Sequence, residues 1–276
     1  MSAPLSILIP AKNERANLRA CLESARFAAE VVVVDSGSAD GTSAIAREFG
    51  ASVVDFQWDG LFPKKKNWAL AHVPWRHEWV FILDADERIT PALAAEIEAV
   101  LAAPEADGYY VNRRFWFLDG WLNHCGYYPS WNLRLFRHRL GRYEQAGRPD
   151  AGSGDNEVHE HVVLQGRAGR LRHEMEHYAF PTIATWVEKH NRYSNWEARQ
   201  SPGAAAPIDP GLARKRRLKG LAAGLPFRPA LRFCYHYLLR AGFRDGYRGY
   251  VFCRLMAFYE FLSVTKAAEL RRTAGK

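Results

Sequence analysis

Short apolar runs that alternate with helix-like segments constrain the fold of this 276-residue chain more than any other feature. The runs have the length and composition of buried strands, and they lie at residues 5–10, 30–38, 51–56 and 79–83. Helical patterns separate them, at residues 15–26, 42–49 and 64–72. Strands that alternate with helices form a parallel sheet whose carboxyl ends share one edge, so the pattern predicts an α/β fold.

The fourth predicted strand delivers two carboxylates at its C-terminal end. Asp84 and Asp86 follow the apolar run one residue apart, at the edge where open α/β sheets bind ligands. Two ionised carboxylates this close repel each other unless a cation lies beside them. Oxygen donors that leave room for water suit Mg²⁺ or Mn²⁺, usually bridged to substrate phosphates. The pattern predicts a divalent-metal site, and an acidic turn before a helix capped by Thr90 is the alternative.

Polar residues also follow the earlier strands. Asn13 comes after the first strand and Asp35 ends the apolar part of the second, so we expect both to meet Asp86 in one crevice. The lysines at 64–66 open the third helix, where cations are unfavourable against the helix dipole unless an anion is present. A diphosphate would supply that anion, and a solvated basic turn is the alternative.

Four motifs in chain order resemble the signatures of the family 2 inverting glycosyltransferases. They are Pro10–Glu14, Val33–Thr42, Lys65–Ala69 and Leu83–Glu87, within a similarity that covers roughly residues 4 to 200. The later Trp131–Phe136 and Val158–Glu160 resemble elements of the lipopolysaccharide core glucosyltransferases. The resemblance implies a GT-A (nucleotide-diphospho-sugar transferase) fold, with a mainly parallel sheet flanked by helices and, here, a C-terminal helical appendage.

The resemblance also implies a nucleotide-sugar pocket. Asp35 would hold the uracil ring of a UDP-sugar, with a turn residue before Gly37 as the alternative. Lys66, directly before Asn67, matches the family motif best among the three lysines. The other positions implied to line the donor site lie in the same motifs or in the later ones: Pro10, Ala11, Asn13, Glu14, Ser36, Asp84, Ala85 and Arg134.

Transfer with inversion requires a base that accepts the proton of the acceptor hydroxyl while the departing diphosphate is neutralised. Glu160 matches the His-Glu element of the family and is the predicted base. Asp155 and Glu157 are nearby competitors, and an exposed strand carboxylate is the alternative reading of Glu160. These three side chains lie downstream of the metal turn, in a segment able to cover the crevice.

The resemblance adds a histidine to the predicted metal site, because related folds often use a histidine distant in sequence as a ligand. His177 would join Asp84 and Asp86 around Mn²⁺ or Mg²⁺, or touch the diphosphate, and a core or surface histidine is the alternative. His159 is equally ambiguous. The four cysteines are scattered without a Cys-x-x-Cys pair, which excludes a closed zinc motif and favours buried thiols of a reducing compartment.

The middle of the chain is predicted to bind the acceptor. Sugars stack on aromatic rings and arginine pairs with phosphate or carboxylate, which indicates an anionic saccharide. The candidates are Trp116, Trp121, Tyr127 and Trp131, with Arg113, Arg114, Arg134 and Arg137. Core rings and solvated arginines are the alternative. Gly141–Asn156, rich in glycine, proline and charge, is predicted to be a mobile loop over the donor.

Composition changes sharply after residue 200. Residues 1–200 carry a net charge of −3 and residues 201–276 a net charge of +11. We expect a glycosyltransferase domain at 1–200, a linker at 201–211 and a basic, aromatic-rich helical region at 212–276. Arginines interrupt its apolar runs before they reach bilayer-spanning length. Basic amphipathic helices of this kind lie on anionic membrane surfaces, and packing on the domain or in a homodimer is the alternative.

These features together predict a metal-dependent inverting glycosyltransferase that moves a hexose from a UDP-sugar to a membrane glycolipid. Lipopolysaccharide inner core is the favoured acceptor, with exopolysaccharide or polyprenyl-linked glycan assembly as the alternative. A nucleotidyltransferase is disfavoured because Pro10–Glu14 lacks glycine, and an inactive membrane-binding module because the acidic residues are intact. The acidic catalytic region argues against nucleic acid. Met1 leads into a strand without a signal peptide, so we expect a cytoplasmic protein, peripheral on the inner face of the cytoplasmic membrane.

Overall fold

The computed structural model describes residues 2–145, 154–157, 160–199 and 227–274. The chain divides into two compact units. The first unit comprises Met1–Arg114, Pro129–Gln145 and Asp155–Ala179, and the second comprises Phe115–Tyr128, Ala146–Gly154 and Phe180–Lys276. The predicted linker at 201–211 lies outside the described residues, so the predicted domain boundaries stay a prediction.

The secondary structure follows the predicted alternation of strands and helices up to residue 102. The strands are β1 (Ala3–Ala11), β2 (Ala28–Asp35), β3 (Ser52–Asp55), β4 (Trp79–Ile82), β5 (Glu87–Ile89), β6 (Gly108–Phe117), β7 (Gly120–Leu122), β8 (Ser130–Arg137), β9 (Gly141–Tyr143), β10 (Val162–Leu164) and β11 (Ala168–Phe180). The α-helices are α1 (Arg15–Ser24), α2 (Thr42–Glu48), α3 (Lys65–His72), α4 (Pro91–Ala102), α5 (Ile183–Arg199), α6 (Arg228–Cys234) and α7 (Gly246–Ala274).

The main sheet is mixed, with the strand order β3-β2-β1-β4-β8-β6-β11-β5. Its first part is parallel, as predicted: β1 pairs with β2 and β4, and β2 pairs with β3. The later strands add antiparallel pairs, β4 with β8, β8 with β6, and β11 with β5. The early alternation could not predict this second part, because it lies downstream of the last strand–helix repeat. A small antiparallel pair of β9 and β10 accompanies the sheet.

Helices cover both faces of the parallel strands, which explains the uninterrupted apolar runs. On one face, Ile7 and Ile9 of β1 belong to a core with Leu18 of α1 and Leu93 of α4. On the other face, Leu8 of β1 belongs to a second core with Ala69 and Leu70 of α3. All four residues of β4 are buried. The strand that carries the acidic turn is therefore held rigidly on both sides.

One hydrogen bond in the turn after β5 confirms that Thr90 caps the following helix. The Thr90 hydroxyl accepts a hydrogen bond of 3.2 Å from the Leu93 N–H, and Pro91 occupies the first helical turn of α4. This cap satisfies an N–H group that has no partner inside the helix. The cap and the acidic turn coexist, so the two interpretations of this segment are compatible.

The second unit is built around aromatic side chains. Phe252 of α7 is fully buried, with the rings of Phe115, Phe117 and Tyr127 within 6 Å of its centroid. A π-helical turn (Tyr235–Leu239) and a 3₁₀ turn (Gly242–Asp245) connect α6 to α7. Within the described ranges, no helix combines the length and apolarity needed to cross a membrane.

Candidate active site

The three lysines that open α3 are buried, with 2–3% of each residue exposed. They lie in the first unit, where each ammonium faces a carboxylate from another part of the chain. Lys64 pairs with Glu160 at 3.1 Å, Lys65 with Asp155 at 3.2 Å and Lys66 with Asp84 at 2.8 Å. Three protein carboxylates therefore face this helix terminus, and binding of a diphosphate there stays a prediction. The alternative of a solvated basic turn is wrong, because all three lysines are buried and paired.

Glu157 holds the first turn of α3 in a different way. Its carboxylate accepts the backbone N–H groups of Lys66 at 2.9 Å and of Asn67 at 3.0 Å. These are N–H groups that a helix leaves unsatisfied at its N-terminus, and a carboxylate there is also favoured by the helix dipole. Burial raises the pKa of Glu157, and these N–H bonds offset part of that shift. Glu157 is therefore a helix cap, which leaves it poorly suited to accept a proton from substrate.

Asp155 is the other competitor for the role of base. Burial favours its neutral form, but Lys65 and the Ser36 hydroxyl outweigh burial, so the pKa of Asp155 lies below its ordinary value. A carboxylate with a lowered pKa is a weaker proton acceptor. Lys65 also donates to the Ala11 carbonyl at the end of β1 (2.9 Å). Through Lys65 and Asp155, the ends of β1 and β2 and the start of α3 are brought together, as the shared strand edge predicted.

Asp84 lies between two cations. One carboxylate oxygen is 2.8 Å from the Lys66 ammonium and the other is 2.9 Å from the Arg134 guanidinium. Burial opposes ionisation, but the two cations outweigh it and hold the pKa of Asp84 well below its ordinary range. Asp84 raises the pKa of Lys66, and Glu87 together with Asp84 raises that of Arg134, in both cases against the effect of burial. The cation that the sequence required beside Asp84 is thus supplied by the protein.

Asp86 points to a different neighbour. Its Oδ1 lies 3.5 Å from Nε2 of His177 on β11, and both side chains are about 15% exposed. The Tyr178 N–H donates to the Asp86 carbonyl at 2.8 Å, which ties the turn to that strand. His177 therefore lies beside Asp86, while Asp84 pairs with Lys66 and Arg134. The predicted ligation of a metal by Asp84, Asp86 and His177 stays a prediction.

The pair Asp86–His177 fits a divalent cation. Two donors bound at adjacent positions of one ion, each about 2.1 Å away, lie roughly 3 to 3.5 Å apart, close to the observed separation. Among the described residues, no group of three or more His, Cys, Asp or Glu side chains converges on one point. A two-ligand site is typical of Mg²⁺ and Mn²⁺, which take further oxygens from substrate phosphates and water.

Glu87 is a functional candidate that the motif analysis did not single out. It is fully buried and contacts Arg134 and Arg113. Its signal in the sequence is a third acidic residue directly after Asp84-Ala85-Asp86, at the start of a short strand with alternating burial. Ala85 itself is buried, and its carbonyl accepts from Arg88 at 2.9 Å.

The predicted nucleoside side of the pocket is formed by the loops after β1 and β2, which we call the loop pair. Asp35 is 2% exposed, and its carboxylate accepts from the Ser38 N–H and hydroxyl and from the Ser43 hydroxyl. This geometry agrees with the turn alternative. Asn13, in the left-handed region at φ 56°, accepts from Ala39 at 2.9 Å, and its N–H donates to Ser38. Asn13 and Asp35 are thus joined through Ser38, whereas Asp86 directly precedes β5.

Other predicted donor residues surround this loop pair. Pro10 and Ala11 are buried at the end of β1, and the Ala11 carbonyl accepts the Ser36 N–H at 3.2 Å. The Glu14 N–H donates to the Thr42 hydroxyl at 2.9 Å, and the Glu14 carboxylate accepts from Asn17 at 2.8 Å. These contacts place the residues of the first two motifs against each other at the strand edge.

The four arginines predicted to bind an anionic acceptor each pair with protein carboxylates. Their partners are Glu87 for Arg113, Glu174 for Arg114, Asp84 and Glu87 for Arg134, and Glu78 and Asp107 for Arg137. Most of the rings also have protein partners: Trp116 meets Trp121 edge to face, Tyr127 packs on Phe252, and Trp131 lies under Arg170. Arg134 is buried in its ion pairs, whereas Arg114 keeps 36% of its side chain exposed. The acceptor role of these residues and its alternative stay predictions.

Two predictions fall on residues that the structure does not describe. His159 lies outside the described ranges, as do residues 146–153 of the predicted loop Gly141–Asn156, of which Gly141–Tyr143 forms β9. Both stay predictions.

Comparison with known proteins identifies the family. The model of glycosyl transferase family 2 matches residues 6–154. The lipopolysaccharide core biosynthesis glycosyltransferase LpsC of Rhizobium meliloti (strain 1021) is 32% identical over 95% of this chain and 91% of its own length. The chain belongs to glycosyl transferase family 2. The predicted family, the GT-A type fold with its C-terminal helices and the glycosyltransferase activity are thereby confirmed.

Further similar proteins span nearly the whole chain of this family 2 glycosyltransferase. The uncharacterized glycosyltransferase RC0292 of Rickettsia conorii (strain ATCC VR-613 / Malish 7) is 26% identical over 98% of this chain and 91% of its own length. Among solved structures, S. aureus TarS 1-349 in complex with UDP superposes with a TM-score of 0.47 at 13% identity, over 99% of this chain and 92% of that chain.

Proposed function

We propose that this family 2 glycosyltransferase is metal-dependent and moves a hexose, with inversion, from a UDP-sugar to a membrane glycolipid. The observation that carries the proposal is the Asp86–His177 pair at the carboxyl edge of the sheet, 3.5 Å apart, next to an Asp84 that two cations already neutralise. Ligands in open α/β sheets bind at this edge. At this pair, the positive charge of a divalent ion would balance the negative charges of Asp86 and of a sugar diphosphate.

Asp86 and His177 would hold Mn²⁺ or Mg²⁺. A bound ion of this kind neutralises the negative charge that develops on a departing diphosphate. A basic motif would be expected to bind the diphosphate, but we propose a different role for Lys66 and Arg134, because both already pair with Asp84. We assign them to holding Asp84 ionised and fixed beside the turn.

Glu160 is the proposed base. In the transfer, the acceptor hydroxyl oxygen bonds to the anomeric carbon, the bond from that carbon to the diphosphate oxygen breaks, and UDP departs. Glu160 accepts the hydroxyl proton. The support is its place in the His-Glu motif, together with the cap that Glu157 makes at α3 and the lowered pKa of Asp155. Lys64, 3.1 Å from Glu160, would orient the carboxylate before transfer.

The donor is proposed to be a UDP-sugar on the strength of family membership and the first two motifs. Asp35 has its oxygens committed to Ser38 and Ser43, so we propose that it shapes the turn rather than binding the base through its carboxylate. Asn13 and Ser36 lie on the same loop pair. Their backbone and side-chain groups are the proposed contacts to the nucleoside.

The acceptor is proposed to be a membrane glycolipid of lipopolysaccharide core assembly. Its support is the similarity to LpsC, which is named for lipopolysaccharide core biosynthesis, and an apolar surface of the second unit. We call the segment Tyr235–Tyr247 the exposed corner, because Leu239 and Tyr247 are each 78% exposed there. Arg240 and Arg244 are exposed between them. Apolar side chains flanked by arginines suit an anionic membrane surface, and we propose attachment at the inner face of the cytoplasmic membrane.

Release of UDP tests the proposal. Purified protein is incubated with single UDP-sugars and a detergent-dispersed core glycolipid, with and without Mn²⁺. We expect release from one donor, dependent on both metal and acceptor. Release that is equal without metal would refute the metal assignment. Release only with exopolysaccharide or polyprenyl-linked acceptors would replace the proposed substrate by the alternative one.

A further inference from the structure

We propose that Glu87 is the positioning residue of the acidic turn, acting through Asp84, Arg134 and His177 rather than on the substrate. The inference rests on the proposed function, because it concerns the same metal and donor. It adds a residue whose side chain has no part in the metal, donor or base roles assigned above.

The Glu87 side chain joins the turn to the cation that holds Asp84. It has no solvent-exposed surface. One oxygen, Oε2, accepts the Asp84 N–H at 3.0 Å. The other, Oε1, accepts from Arg134 at 2.5 Å and from Arg113 at 3.2 Å. A single carboxylate thus fixes the backbone of Asp84 and the guanidinium that pairs with the Asp84 side chain.

The Glu87 backbone aligns the other half of the site. Its N–H donates to the Asp84 carbonyl at 2.9 Å, which closes the turn. In the antiparallel pair of β5 and β11, Glu87 lies opposite His177. His177 in turn approaches Asp86, the residue before Glu87. The side chain and the backbone of one residue therefore set the positions of both carboxylates and of the histidine.

The chemistry at this position requires a carboxylate. Every group around the two Glu87 oxygens is a donor: the Asp84 N–H, Arg134 and Arg113. A glutamine has the same shape, but its NH₂ group would face one of these donors and leave it unsatisfied in a buried site. Groups that orient metal ligands from behind typically change metal affinity or activity about ten- to hundredfold when they are mutated.

The test measures UDP binding by isothermal titration across a series of Mn²⁺ concentrations. Glu87→Gln is expected to raise the Mn²⁺ concentration for half-maximal UDP binding about ten- to hundredfold. The matched control is Glu260→Gln in the second unit, where a buried carboxylate likewise bridges two arginines, Arg228 and Arg232. The control is expected to change that concentration by no more than about twofold, because it is independent of the turn.

The outcomes separate the inference from the proposed function. Equal Mn²⁺ requirements for Glu87→Gln and Glu260→Gln, with a normal wild type, would overturn the positioning role alone. Absence of Mn²⁺-dependent UDP binding in the wild type would overturn both. A loss of thermal stability shared by the two variants has no bearing on this comparison, since the Mn²⁺ requirement is measured on folded protein.

A second variant covers the case in which Glu87→Gln does not fold, as judged by near-ultraviolet circular dichroism. Arg113 is 24% exposed and donates to Glu87 Oε1, whereas the Asp84 N–H donates to Oε2. Arg113→Gln should shift the Mn²⁺ requirement in the same direction by a smaller factor, because it loosens Glu87 without removing its charge. An unchanged requirement in folded Arg113→Gln would overturn the inference.

Discussion

Charge reversal in the exposed corner is the sharpest test of membrane attachment. The corner carries Arg240 and Arg244 among the exposed side chains of Leu238, Leu239 and Phe243. Other arginines of this region are committed internally: Arg228 and Arg232 to Glu260, and Arg248 to Asp119. The double change Arg240→Glu and Arg244→Glu therefore perturbs the surface with the least effect on internal pairing.

The expected magnitude follows from the charges that change. Each basic residue near an anionic bilayer contributes about 1 kcal/mol, and a glutamate in its place is repelled by a similar amount. Two reversals should weaken binding by about 2 to 4 kcal/mol, which is roughly thirty- to several-hundredfold in affinity. Leu239→Ala should weaken binding by about 1 to 2 kcal/mol through lost apolar burial, and this loss should persist at high salt.

The assay is co-sedimentation with vesicles that contain anionic lipid, over a series of salt concentrations. The matched control is Arg19→Glu with Arg26→Glu, which changes the net charge equally at exposed positions of the first unit, one on α1 and one just after it. We expect the control to bind nearly as the wild type does. Equal binding by the corner variant and the control would refute the reasoning. Binding by neither variant nor wild type would favour burial of the corner against protein, as in a homodimer.

Further predictions address the site and the stability of the second unit. Asp86→Asn should abolish Mn²⁺-dependent UDP binding in calorimetry and lower transfer about a thousandfold or more, and near-normal transfer would contradict the metal assignment. Glu160→Gln should leave donor affinity nearly unchanged and lower turnover by roughly a hundredfold, whereas a collapse of donor affinity would assign Glu160 to binding. Burial lowers the pKa of His190, which stacks on Trp186, to about 4. Its contribution to the free energy of unfolding, about 3 kcal/mol, is therefore present above pH 6.5 and lost as the pH falls towards 4. If His190→Phe loses as much stability as the wild type over this pH range in an acid titration, the assignment to His190 is refuted.

Local pattern sufficed for the first half of the fold and failed for the second. The apolar run at 79–83 predicted β4, which the structure bounds at Trp79–Ile82. The segment Gly108–Phe117 forms β6, and its pairing with β8 brings together residues that no local period connects. Alternation specifies which face a strand buries, whereas the neighbour across the sheet depends on contacts distant in sequence. The antiparallel part was therefore beyond sequence reasoning.

The same limit applies to charge in the site. Repulsion between Asp84 and Asp86 correctly required a cation, and the lysines at α3 correctly required an anion. The sequence could not tell that Lys66 and Asp84 satisfy each other, because they lie far apart along the chain. Arg134, the second cation, comes from the adjacent antiparallel strand β8, whose position was not predicted.

Asp84 and Asp86 have different partners, and this difference affects how tightly donor and metal bind. Asp84 is neutralised by Lys66 and Arg134, so the carboxylate proposed to face the ion is that of Asp86, with His177 beside it. One carboxylate and one imidazole make a weak site for Mn²⁺, which prefers several oxygen ligands. The diphosphate would supply the missing oxygens. Because linkage is reciprocal, UDP should raise the affinity for Mn²⁺ by the same factor by which Mn²⁺ raises the affinity for UDP.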